Sequence, residues 1–180
     1  GHRDLPWRRT SDAWRIWVSE IMLQQTRVET VIPYFERFIA RFPDAGTLAR
    51  APRADVLAHW SGLGYYRRAR LLHEAADDVV RDHAGTFPRD LDAARALPGI
   101  GRSTAGAIVS IAYDVRAPVL DGNVKRVLAR LFALRGDPDA RPLEPQLWLL
   151  AHALVDCDSP GDVNQALSLF RRRKRRPESA

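Results

Sequence analysis

The chain of 180 residues is 46% hydrophobic and 28% charged, which excludes disordered and fibrous classes and suits one domain or two small intertwined lobes. No apolar run approaches the roughly 20 residues of a membrane helix, no secretory signal opens the chain, and the single Cys157 excludes an intrachain disulfide framework, so a soluble intracellular protein is expected. The net charge of +6 is concentrated in residues 171–180, which hold six cations and Glu178; the remaining 22 cations and 21 anions leave the body at +1, so any case for nucleic acid must come from the body itself.

Apolar residues recur at helical spacing and no alternating run exceeds about four residues, so an all-α fold is expected. Ser11 or Asp12 can cap a first helix through Trp14, Trp17, Val18, Ile21 and Met22. Within it Glu20 shares a face with Trp17, Leu23 and Gln24. Burying that carboxylate would raise its pKa toward the range a general acid needs near neutral pH. The alternative is an amphipathic helix whose glutamate reaches solvent or pairs with Arg15 or Arg27. A second helical pattern, from Val28 to Ile39, ends before Pro43, and short helices follow near 46–51 and 53–60. Ser61 to Tyr66 reads as a turn opening a longer helix to about Asp82, whose Arg67, Arg68 and Arg70 either touch phosphate or solvate the surface. Further helices are expected at 90–97, 103–113, 122–134, 143–155 and 162–172, with Trp14, Trp17, Trp60 and Trp148 in the core or a lobe interface.

Leu97-Pro98-Gly99-Ile100-Gly101 joins two of these helices. Its glycines permit close backbone approach, and the helix that follows offers unpaired N–H groups at a positive dipole end, which suits a phosphate. A tight helix–turn–helix without a ligand has the same local signature. Asp121 ahead of Gly122 and Asn123 is a good helix N-cap on its own.

The longer string LPGIGRSTAGAI, residues 97–108, resembles the helix–hairpin–helix of the DNA glycosylase superfamily that includes endonuclease III. SEIMLQQTRVETVIPYFERF, WSGLGYYRRARLLHEAA and LDGNVKRVLAR resemble corresponding segments of MutY-type adenine DNA glycosylases, in the family's order and over most of residues 5–170. The resemblance implies two helical lobes with the active site in the cleft: a central lobe over 27–117, and a second lobe from 1–26 plus 118–170. It implies hydrolytic removal of adenine mispaired with 8-oxoguanine or guanine in double-stranded DNA, the adenine leaving the stack to enter a pocket. Glu20 would be the general acid, Asp121 would stabilise or trap the oxocarbenium-like sugar, and Asn123 would hydrogen-bond near the sugar or water. Gln24, Gln25, Tyr65 and Tyr66 are the implied wedge-and-read residues, and Leu97, Gly99, Gly101, Arg102, Ser103, Thr104 and Lys125 the implied DNA contacts; Arg126 shares the phosphate-or-solvent ambiguity of the other cations. The bifunctional lyase branch carries a lysine at the position of Ser103; serine cannot form that imine, so a monofunctional enzyme is expected.

The sequence also departs from the family. Its catalytic region continues past the segment matched by Asn164-Gln165-Ala166-Leu167 into four cysteines that ligate a 4Fe-4S cluster, whereas here RRRKRRPESA follows. The usual first helix and the C-terminal domain that recognises 8-oxoguanine have no counterpart either. A second lobe lacking the iron–sulfur segment and a disordered basic tail over 171–180 are therefore expected, in a fragment or frame-shifted product, a degenerate copy without activity or a cluster-free glycosylase. Two rivals follow: a non-catalytic helix–hairpin–helix DNA-binding fragment, and a mismatch-specific thymine glycosylase. A monomer without membrane association, cytoplasmic and nucleoid-associated in a bacterium, completes the expected picture.

Overall fold

Amphipathic segments joined by short breaks bury their apolar faces by packing helix on helix, and every regular element described is helical in the computed structural model, which describes residues 5–169. A 3₁₀ turn, Pro6–Arg8, precedes α1 (Ala13–Leu23), α2 (Val28–Arg41), α3 (Ala45–Ala49), α4 (Arg53–Trp60), α5 (Arg67–Asp82) and α6 (Leu91–Ala96). After the hairpin come α7 (Arg102–Tyr113), α8 (Gly122–Leu131), a second 3₁₀ turn at Arg141–Leu143, α9 (Glu144–Leu154) and α10 (Pro160–Leu169). Asp12, not Ser11, caps α1, its side chain accepting from Trp14 N at 2.9 Å. Among the described residues no helix is long and apolar enough to cross a membrane.

Two boundaries differ from the sequence pattern for local reasons. The helix expected over 122–134 stops at Leu131, because Ala133 adopts a left-handed φ of 50° and Leu134 N turns back to Ala129 O at 2.8 Å. That closure usually uses glycine, so an alanine gives no warning of it. The last helix starts at Pro160 rather than 162, proline being suited to a first helical turn. The basic segment 171–180 lies outside the described residues.

Buried side chains fall into two clusters. The larger gathers Trp17, Phe35, Phe38, Trp60, Leu72 and Ile108, and it includes Leu5, Trp7 and the apolar face of α1. The smaller gathers Val119, Leu120, Val124, Leu128, Leu147 and Leu167. Helix α7 is the wall between them: Ala105, Ile108 and Val109 face the first, while Ala107 faces the second. Trp14, Trp17 and Trp60 are buried, as expected of core tryptophans, and Trp148 packs half-buried against the smaller cluster.

Candidate active site

Helix α1 carries Glu20 to the edge of its buried face, where the carboxyl borders a cavity of about 230 Å³. Leu5, Trp7, Ile16, Leu23, Val28, Ala107 and Ile111 make most of its wall apolar, while Arg8, Ser19, Asn164, Gln165 and Ser168 supply polar atoms. Burial pushes the Glu20 pKa up from 4.5 to about 7; the Asp121 charge adds to the rise and Arg8 opposes it. A glutamate that reaches solvent or pairs with Arg15 or Arg27 would show no such rise; Arg15 instead approaches Asp12 at 4.0 Å.

Asp121 comes to the same cavity from the N-terminus of α8. Its Oδ1 accepts from Asn123 N at 2.9 Å and Val124 N at 2.7 Å, so the same side chain is a helix cap and a cavity-lining carboxylate. Asn123 turns toward α10, its Nδ2 donating to Leu167 O and Ser168 O, each at 3.2 Å. Glu20, Leu23, Val119 and Asp121 border both the small cavity and an open cleft of about 1180 Å³. The two carboxyl residues therefore stand where the cavity meets the cleft.

The cleft collects Gln24, Gln25, Tyr65, Tyr66, Ser103, Thr104, Asn123 and Arg126. Gln25 and Tyr65 both hold left-handed backbone, with φ of 58° and 49°, and Tyr65 is 61% exposed. Gln24 Nε2 reaches Thr104 Oγ1 at 3.4 Å, tying the end of α1 to the hairpin helix. Ser103 Oγ accepts from Leu120 N at 3.1 Å.

The hairpin presents Gly99 and Gly101 to solvent, with Leu97 buried beneath them as part of the core. Gly99 has φ of 76°, and a Cβ there would stand 2.9 Å from Leu71 Cβ, so both conformation and space require glycine. No side chain caps α7 at Gly101, which leaves its first-turn amides facing outward. Arg102 lies over the Trp148 ring at 3.7 Å from its centroid, and Lys125 sits 3.7 Å from Glu144 with little exposure. Both cations thus meet α9.

Arg68 is the cation that the sequence leaves most misjudged. Half-buried, it donates to Ile21 O at 3.0 Å, Met22 O at 2.8 Å, Gln24 O at 2.5 Å, Thr26 Oγ1 at 3.0 Å and Gly64 O at 3.3 Å. The guanidinium closes the C-terminus of α1 and joins it to the turn before Tyr65, rather than pointing at phosphate or solvating a surface. Burial lowers its pKa.

Trp7, Arg8, Ser19, Gln165 and Ser168 are cavity residues that sequence reasoning did not single out. Trp7 and Arg8 lie in a 3₁₀ turn, which has no periodicity to read, and only the Pro6 before them marks it.

The residues present do not fit an iron–sulfur cluster. Cys157 is the one cysteine of the sequence, and no group of three or more His, Cys, Asp or Glu able to hold a metal occurs among the described residues.

The helical architecture and the uncapped hairpin that opens α7 define a helix–hairpin–helix protein. The family model described as "HhH-GPD superfamily base excision DNA repair protein" matches residues 18–152, and the chain belongs to that family. It is 49% identical over 173 residues to the adenine DNA glycosylase of Mus musculus, covering 91% of this chain and 34% of that protein. To the adenine DNA glycosylase of Buchnera aphidicola subsp. Schizaphis graminum it is 41% identical over 167 residues, covering 93% and 48%. The chain thus spans half or less of the length of these curated relatives. Among solved structures it resembles a thermostable thymine-DNA glycosylase with a TM-score of 0.82 and 29% identity, over 92% of this chain and 76% of that one. A non-covalent endonuclease III–DNA complex superposes with a TM-score of 0.76 at 23% identity, over 93% and 77%, a likeness of fold.

Proposed function

We propose that the chain carries the machinery of a monofunctional adenine DNA glycosylase, acting on adenine opposite 8-oxoguanine or guanine in duplex DNA. The observation that carries the reading is Glu20, its carboxyl held at a pKa of about 7 at the mouth of a base-sized cavity that Asp121 also borders. The adenine leaves the stack and enters the cavity. The neutral Glu20 carboxyl then gives its proton to a ring nitrogen, which lets the base depart with the electrons of the glycosidic bond. The Asp121 carboxylate stabilises positive charge on the sugar until water adds at C1′. An acid is most useful for a purine leaving group, and this separates the reading from pyrimidine removal.

Gln24, Gln25, Tyr65 and Tyr66 form the reading and wedging edge of the cleft, and the hairpin amides of Gly99 to Thr104 take a backbone phosphate. Ser103 in place of a lysine leaves no amine for Schiff-base formation, so the sugar–phosphate backbone stays intact.

The test is adenine release from a duplex with adenine opposite 8-oxoguanine, with Glu20→Gln as control. Release without strand breakage before alkali treatment is expected, and loss of release in the variant. Release that survives Glu20→Gln overturns the acid assignment. A borohydride-trappable adduct indicates a lyase, thymine release from a T·G duplex the pyrimidine enzyme, and duplex binding without base release a DNA-binding module.

A further inference from the structure

The segment from Ala117 to Leu120 connects α7 to Asp121 and belongs to neither a helix nor a strand, yet all four residues are buried. Irregular backbone that is buried must find partners for its N–H and C=O groups outside any ladder. Two side chains from different helices provide them. Asn164 of α10, 2% exposed, accepts from Val119 N at 3.3 Å and donates to Ala117 O at 2.9 Å. Ser103 of α7 accepts from the next amide, Leu120 N, at 3.1 Å.

The orientation of the Asn164 amide is over-determined. Its second N–H goes to Ser110 Oγ at 2.9 Å, and that hydroxyl donates onward to Ala107 O at 3.2 Å. Both amide hydrogens and the carbonyl oxygen are used, so the side chain has no alternative pose of equal energy. Gly106 completes the arrangement: a Cβ there would lie 2.4 Å from Pro118 O, so only a glycine lets the segment lie this close to α7. The backbone is therefore gripped at Ala117, Val119 and Leu120, and the next residue is Asp121.

We propose that Ser103 and Asn164 are positioning residues that clamp the segment before Asp121 and so set where its carboxylate stands relative to Glu20. Neither needs to touch the base. Ser103 keeps its own O–H for the cleft, while its lone pair holds Leu120. The proposal rests on the glycosylase reading for its catalytic consequence, and on hydrogen bonds alone for its structural one.

Two measurements separate them. Under single turnover on a duplex with adenine opposite 8-oxoguanine, Ser103→Ala is expected to slow base release about 10-fold to 100-fold, the scale of a displaced catalytic group. Ser103→Thr, which keeps the hydroxyl, should recover most of the rate. The alkaline limb of the rate profile should also move to lower pH in Ser103→Ala. Asp121 raises the Glu20 pKa, so its retreat lets that pKa fall toward the balance of burial and Arg8. Independently of any activity, amide hydrogen exchange at Leu120, Asn123 and Val124 should quicken in Ser103→Ala, the last two because their bonds to Asp121 Oδ1 loosen. Wild-type exchange at these amides overturns the clamp whether or not adenine is released. Wild-type rates in Ser103→Ala, or a loss that Ser103→Thr shares in full, also overturn it. If the unmodified chain releases no adenine while the exchange effect appears, the clamp stands and the glycosylase reading fails. Asn164→Ala should act in the same direction, and Ser103→Ala keeps the test open should that buried variant not fold.

Discussion

At the scale of single residues, Glu20 has a consequence for stability as well as chemistry. Its pKa is raised on folding from 4.5 to about 7, so the folded state prefers the protonated form. Its contribution is fully present below pH about 4.5 and is lost as pH rises through about 7. Glu20→Gln should therefore stabilise the chain at pH 8 by roughly 3 kcal/mol more than at pH 4.5, as read by chemical denaturation. The wild-type rate of base release should fall above pH about 7, where Glu20 surrenders the proton it must donate. A glutamate on an apolar face was visible in the sequence, with a raised pKa if buried, but not whether it was buried or reached solvent. The cavity around it was not visible, because Leu5, Trp7 and Arg8 reach it from a turn with no periodic pattern and Gln165 from a helix more than a hundred residues away.

At the scale of elements, the breaks between helices carry the geometry. Arg68 ties α1 to the Gly64 turn by five hydrogen bonds, and it also lies beside the Trp60 and Tyr65 rings. Arg68→Ala strands the last carbonyls of α1 and should cost about 2–4 kcal/mol in unfolding free energy. Arg68→Lys should recover less than half of that, since one ammonium cannot reproduce a planar fork. Gly106→Ala presses a methyl onto the Pro118 carbonyl and should cost about 1–3 kcal/mol, read as a lowered thermal midpoint. The sequence marked the hairpin and the N-cap at Asp121, because both are local chemistry. It offered arginine 68 as one of three equivalent surface cations, because nothing within a few residues of it tells a buried guanidinium from a solvated one.

For the molecule as a whole, the body is nearly neutral, and the features that the proposed function turns toward DNA are an uncapped hairpin and a cleft rather than a field of charge. The six cations of residues 171–180 would contribute a log–log salt slope of about −5 if each met a phosphate. Removing those residues should flatten the salt dependence of duplex binding while leaving mispair preference intact, measured by titration across ionic strengths. Lost preference would place those residues in recognition.

A family resemblance singled out Glu20 and Asp121, while the sequence's own patterns determined that the described residues form helices, where nearly every helix starts and which hairpin opens α7. Those are short-range properties, written in spacings of three and four residues and in caps. Only the tertiary structure decided that Arg68 spans 46 residues to Met22, that Asn164 spans 54 to Ser110, and that Glu20 and Asp121, 101 positions apart in the chain, border one cavity. Burial and partner choice arise where distant segments pack, and a local pattern holds no record of what arrives from the other side.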